Sequence, residues 1–146
     1  IRVDATDDEH RQTHRGGNIW HGDSLQVFCQ FPGQKDFWQF GCALRNDGEI
    51  ERCVWTPAAG FRPDISVFDC RISRNGNRTI YELQIPWSAF GADLEKLKQG
   101  FRFNLMLNEC DSDVRDSWIQ IAPGVGHIVN TSFYPMLNYD DGKERK

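Results

Sequence analysis

The sequence predicts an antiparallel β-sandwich of the jelly-roll or immunoglobulin-like kind. Apolar residues recur at every second position in one segment after another, and glycine- and asparagine-centred turns separate these segments. Aromatic residues are plentiful, with 10 Phe and 5 Trp, while helix-period patterns are almost absent. The 146 residues suit one domain. We place that domain at 1–139 and read the polar stretch 140–146 as a flexible tail.

Ile1-Arg2-Val3-Asp4-Ala5 already alternates like a strand. A chain that opens this way, without Met, reads as a fragment of a longer protein that lacks the first strands of its fold. Leu25, Val27, Cys29 and Phe31 share one face of the next strand, with Gln26, Phe28 and Gln30 on the other. Trp38, Phe40, Cys42 and Leu44 repeat the pattern. Asp47-Gly48 then reads as a two-residue hairpin loop. That register sets Cys42 opposite Cys53 in a hydrogen-bonded pair, which leaves a bridge between them open. Asn75-Gly76 is a second hairpin loop, pairing Cys70 with Tyr81 and Phe68 with Leu83 on an apolar face, and Asp69 with Glu82 on a polar one. Pro86 ends that ladder, and Asp93–Lys98 permits one short helix before Gly100. Phe101, Phe103, Leu105 and Leu107 form an inward row, with Arg102, Asn104, Met106 and Asn108 facing away. Trp118–Ile121 and Phe133–Tyr139 bring the set to about nine strands.

Composition excludes several functions. Seventeen basic against 21 acidic residues give a net charge of −4 with no basic cluster, which argues against nucleic acid. No apolar run is long enough to cross a membrane as a helix. No nucleophile elbow, zinc-protease helix, phosphate loop or dinucleotide fingerprint occurs, so catalysis has no positive support. The five cysteines lack metal-ligand spacing and read as small buried hydrophobes, at least one of them unpaired within the chain.

Three features remain. Asp4, Asp7, Asp8 and Glu9 follow the opening strand, and Asn108, Glu109, Asp111, Asp113 and Asp116 follow a later one. Both are oxygen-rich turns of the kind hard cations use, and also of the kind ordinary turns are made from. His10 and His14 stand four apart on a glycine-rich loop without a helix to align them. Trp20 lies in Asn18-Ile19-Trp20-His21-Gly22-Asp23-Ser24, a polar setting in which an indole is suited either to folding over the rim or to stacking on a flat ligand such as a pyranose.

Four segments, taken in order, resemble family 9 carbohydrate-binding modules. They are Asp7-Asp8-Glu9-His10 with Asn18–Phe28, Tyr81–Trp87 ending in Ile85-Pro86-Trp87, Phe101–Asn108, and Trp118–Phe133. The resemblance spans nearly the whole chain. It implies a non-catalytic sandwich, related to the wider haem- and sugar-binding DOMON superfamily, exported to the extracellular space or periplasm and fused to other domains. It implies an oligo- or polysaccharide partner and a structural calcium, with Asp4, Asp7 and Asp8 as its ligands. Trp20 stands where the family's first sandwiching tryptophan stands, His127 near the second, and Gln26 at its glutamate; Asn108 adds a polar contact. The family's arginine falls at about Gly41 and a further polar partner at Met106. These departures leave two other readings: an interaction domain of the same fold that binds no sugar, and a haem domain with Met106 and His127 as axial ligands.

Overall fold

The computed structural model describes residues 1–58 and 64–139. Among these residues, nine strands form two antiparallel sheets: β1 (Arg2–Thr6), β2 (Ser24–Gln30), β3 (Trp38–Leu44), β4 (Ile50–Thr56), β5 (Asp69–Asn75), β6 (Arg78–Gln84), β7 (Phe101–Glu109), β8 (Ser117–Gln120) and β9 (Met136–Leu137). The smaller sheet has the order β1-β6-β5; the larger runs β4-β3-β2-β7-β8, with β9 also on β7. The expected β-sandwich is therefore present. The proposed tail, 140–146, lies outside the described residues.

The alternation read from the sequence decides which face each strand buries. Leu25, Val27, Cys29 and Phe31, with Trp38, Phe40, Cys42 and Phe101, pack between the sheets against Phe68, Ile72, Tyr81 and Leu83. The Phe31 ring lies 5.6 Å from Phe90 and 5.2 Å from Phe101, centroid to centroid, and Phe40 meets Phe68 edge-on at 5.3 Å. After Pro86 a short 3-10 turn, Trp87–Phe90, drops Phe90 into this core. The one α-helix among the described residues, α1 (Leu94–Lys98), is capped by the Asp93 carboxylate, which accepts from the Lys96 amide, and it buries Leu97.

Both hairpin registers differ from expectation. The first loop has three residues, Asn46-Asp47-Gly48: the Arg45 amide donates to the Glu49 carbonyl and Leu44 faces Ile50. Gly48 takes φ +88° at the end of the loop, the left-handed position this turn requires. Asn46 is also held from outside, by reciprocal bonds with Gln12. The shift by one residue turns Cys53 away from Cys42: Cys53 faces Gly41, and Cys42 faces Arg52. No bridge joins them; Cys42 instead packs in the core, with Cys70 of the opposite sheet packed against the same cluster. The second loop is Gly76-Asn77, with Asn75 opposite Arg78, Cys70 opposite Leu83, Ile72 opposite Tyr81 and Asp69 opposite Gln84. A slide of two residues conserves the parity of every side chain, so the apolar face is the expected one although each partner is different. The slide places Gly76, at φ +59°, in the first loop position, and β1 closes over it through the Asp7 amide and the Asn77 carbonyl.

Two further differences concern the far face of the large sheet. Most of the outward row of β7 does not meet solvent: Asn104 and Met106 are buried beneath the segment 122–135, and Asn108 is buried between Ser24 and Arg115. The expected last strand is only Met136–Leu137, because Thr131–Phe133 forms a 3-10 turn instead.

Candidate functional site

The far face of the large sheet carries a cavity of about 320 Å³ lined by Trp20, Gln26, Gln39, Trp55, Met106, Arg115 and His127, among others. Gln26 and Met106 of its floor belong to one cross-strand row, in which Cys53, Gly41, Gln26, Met106 and Gln120 lie side by side on β4, β3, β2, β7 and β8. The three positions at which the sequence departs from the family pattern or replaces its glutamate (Gly41, Met106 and Gln26) are thus direct neighbours. Gln26 is buried, and its side-chain carbonyl accepts a 3.0 Å bond from Gln39 Nε2.

Trp55 is positioned by a β-bulge. Phe40 faces Val54 but Gln39 faces Thr56, so Trp55 is the extra residue on β4. Its six-membered ring occupies the space above Gly41: a Cβ there would stand 2.8 Å from Trp55 Cζ3. Its Nε1 donates to the Gly17 carbonyl at 2.7 Å, tying β4 to the 3-10 turn Gly16–His21 that carries Trp20.

Trp20 is half-buried, with the His21 ring stacked on it at 3.6 Å. Burial chiefly, with His14 and Arg115 nearby, lowers the His21 pKa, which favours a neutral ring in that stack. The turn is fixed from below by Gln12, whose Nε2 donates to the carbonyls of Ile19 and Asp23 at 2.8 and 2.9 Å.

Arg115 comes from the loop after β7. Asp116 shapes this loop by accepting bonds from the Asp111 and Ser112 amides and the Ser112 hydroxyl. The Arg115 guanidinium lies 5.2 Å from the Trp20 ring and 4.6 Å from the Trp118 ring. Asn108 holds it: Oδ1 accepts from Arg115 Nη1 at 3.1 Å, while Nδ2 donates to Ser24 Oγ, which donates to the Gly22 carbonyl. The opposite wall is the segment around Gly126, whose φ of +94° brings the chain close over Trp118, and the exposed His127 meets Trp118 edge-on at 5.3 Å.

Of the sugar-binding residues expected from sequence, Trp20, Gln26 and His127 therefore share one cavity, and Asn108 lies behind it as the support of Arg115. Trp55, Gln39 and Arg115 were not anticipated. The alternation of β4 puts Trp55 out of phase with the inward Val54 and was available as a signal; nothing in the sequence marks Arg115, whose place depends on an irregular loop.

The acidic residues divide. Asp4 is paired through both carboxylate oxygens with Arg78 on the exposed side of the small sheet. Asp7 and Asp8 meet Asp111 with carboxylate oxygens within 4.8 Å of one another, and Asp7 likewise meets His10 and Asp23. Burial, then the charge of Asp23, pushes the Asp7 carboxyl above its usual range. His10 Nε2 lies 2.8 Å from the Leu44 carbonyl and Nδ1 3.1 Å from Asp23. Asp7, Asp8 and Asp111 form an oxygen donor set that fits a hard cation such as calcium. No helix among the described residues is long and apolar enough to cross a membrane.

No model of a known protein family matches the chain, and no curated protein matches it. Among solved structures, a carbohydrate binding module of family 9 from Caldicellulosiruptor kristjanssonii, in complex with cellotriose, is similar to it with a TM-score of 0.61 and 16% identity. The match covers 99% of this chain and 73% of that one. At that identity the likeness is one of fold: this chain is a β-sandwich built like a family 9 carbohydrate-binding module.

Proposed function

We propose that the chain is a non-catalytic carbohydrate-binding module that holds an oligosaccharide or a polysaccharide end in the cavity on the large sheet. The observation that carries this reading is the combination of half-buried tryptophans, Trp20 and Trp55, around an amide floor of Gln26 and Gln39. Indole rings offer apolar faces to the C–H surface of a pyranose, and amides match hydroxyls as both donors and acceptors. A cavity of about 320 Å³ falls at the small end of ligand-site volumes, sized for one or two sugar rings. We further propose a calcium ion at Asp7, Asp8 and Asp111, with Asp4 serving its salt bridge instead, and a place in an exported protein with other domains. The solved neighbour, bound to cellotriose, supports the sugar as partner by analogy of fold.

Calorimetric titration of the purified domain against mono- and oligosaccharides, with calcium present, tests this. Binding is expected for at least one sugar, with a loss of ten-fold or more in both Trp20→Ala and Trp55→Ala, in line with about 1.4 kcal/mol or more for a buried aromatic anchor. Silence across the panel, or unchanged affinity in both variants, overturns the reading. Met106 and His127 share the cavity, which is what favours the haem alternative; a Soret band on haem titration would support it in place of a sugar.

A further inference from the structure

We infer that the cavity selects a sugar carrying a carboxylate, a uronic acid unit, and that Arg115 is the residue that determines this preference. The inference rests on the carbohydrate reading and narrows it to a chemical class.

The cavity is electrostatically one-sided. Arg115 is the one permanently charged residue among its described lining residues, and no Asp or Glu faces it there. The carboxylates close by in sequence face other partners: Asp116 accepts from the amides and hydroxyl of its own loop, Asp113 lies 3.9 Å from Arg11, Asp111 meets Asp7 and Asp8, and Glu109 accepts from the Ser117 hydroxyl. Arg115 forms no ion pair among the described residues; its one hydrogen bond within them goes to Asn108. The guanidinium is half-buried between two indole rings, and burial lowers its pKa. A cation stripped of part of its water and given only ring faces and one amide oxygen is incompletely compensated.

Its orientation makes that charge selective. The rings of Trp20 and Trp118 and the bond to Asn108 hold the guanidinium in place, leaving its other N–H groups without a partner among the described residues. A planar fork of donors, fixed in advance, matches a carboxylate in two parallel hydrogen bonds and loses little entropy in forming them. Gln26 strengthens the case: its neutral amide, central in the floor, leaves no acidic side chain to repel an anionic ring.

The test compares matched sugars: glucose with glucuronic acid, and α-1,4-digalacturonate with the corresponding neutral digalactoside, each titrated into the wild type, Arg115→Gln and Arg115→Lys. The wild type is expected to favour the uronate by about ten-fold or more, the scale of a hydrogen-bonded charge pair. Arg115→Gln should bring the ratio of the two affinities to near one, and Arg115→Lys should leave an intermediate ratio, because the charge remains and the fork is lost. Circular dichroism and thermal melts establish that each variant is folded. Equal or tighter binding of the neutral sugars to the wild type overturns the inference while leaving the carbohydrate reading intact. A uronate preference that persists in Arg115→Gln overturns the role of Arg115. Absence of binding by all four sugars counts against both.

Discussion

Gly41 shows how a single missing side chain shapes the site. It lies in the middle strand row of the floor, and a Cβ would press against the Trp55 ring and the Leu25 carbonyl at once. The position has neither positive φ nor a turn to make; the demand is for space. The resemblance read from the sequence implies an arginine at about this position; here an indole fills the space, and Arg115 is the one permanent charge among the cavity's described lining residues. Gly41→Ala is therefore expected to destabilise the fold by about 1–3 kcal/mol, the range for overpacking a closed site, and to weaken sugar binding by displacing Trp55. Urea unfolding followed by tryptophan fluorescence measures the first effect, and calorimetric titration with sugar the second. Gly17→Ala serves as the control: a Cβ there meets nothing within 4 Å, and its stability should stay within about 0.5 kcal/mol of wild type. A neutral Gly41→Ala would show that Trp55 moves aside without cost.

At the scale of elements, the long segment between β1 and β2 has no regular structure except its 3-10 turn, yet it positions Trp20. Gln12 organises it: fully buried, it bonds two carbonyls through Nε2 and the His14 amide through Oε1, and its backbone exchanges bonds with Asn46 of the β3–β4 loop. Gln12→Met retains the volume, keeps the backbone bonds to Asn46 and removes the three side-chain bonds, at about 1–3 kcal/mol for each buried group left unpaired. A lower denaturation midpoint together with weaker sugar binding is the expected result; unchanged affinity would mean that Trp20 is held by the Trp55–Gly17 bond alone. None of this was visible in the sequence, because Gln12 resembles any polar loop residue until tertiary contacts are known. The inward faces of the strands were legible, since period-two burial is a local property, and so were the short helix ahead of Gly100 and the stop at Pro86. Register was not. The slide of two residues at Gly76-Asn77 leaves both faces unchanged, and the three-residue loop at Gly48 is chosen partly by Gln12, 36 positions upstream. The site divides in the same way: Trp20, Gln26 and His127 lie on or beside segments whose order carried the resemblance, whereas Arg115 depends on how Asp116 folds its own loop.

At the scale of the whole molecule, the two sheets meet at the Asp7 end of the sandwich. Asp7 follows β1 of the small sheet, Asp23 precedes β2 of the large one, and Asp111 follows β7. Their carboxylates converge there with Asp8 and His10, and Arg74 of β5 offsets part of the charge through a 3.3 Å contact with Asp7. Crowded carboxylates oppose the docking of the sheets, and a divalent cation between them would turn that repulsion into a tie across the sandwich. Thermal melts in chelator and in millimolar calcium decide the point. Calcium at 100 times its dissociation constant would stabilise the fold by about 2.7 kcal/mol, which for a domain near this size raises the melting temperature by roughly 5–10 °C. Asp7→Asn should abolish most of that increment and stabilise the chelated protein, because it removes one of the repelling charges; Asp4→Asn should leave the increment intact, its carboxylate being engaged by Arg78. If melts in calcium and in chelator coincide, the acidic cluster holds no calcium, and Arg74 is then the main counter-charge at that end of the sandwich.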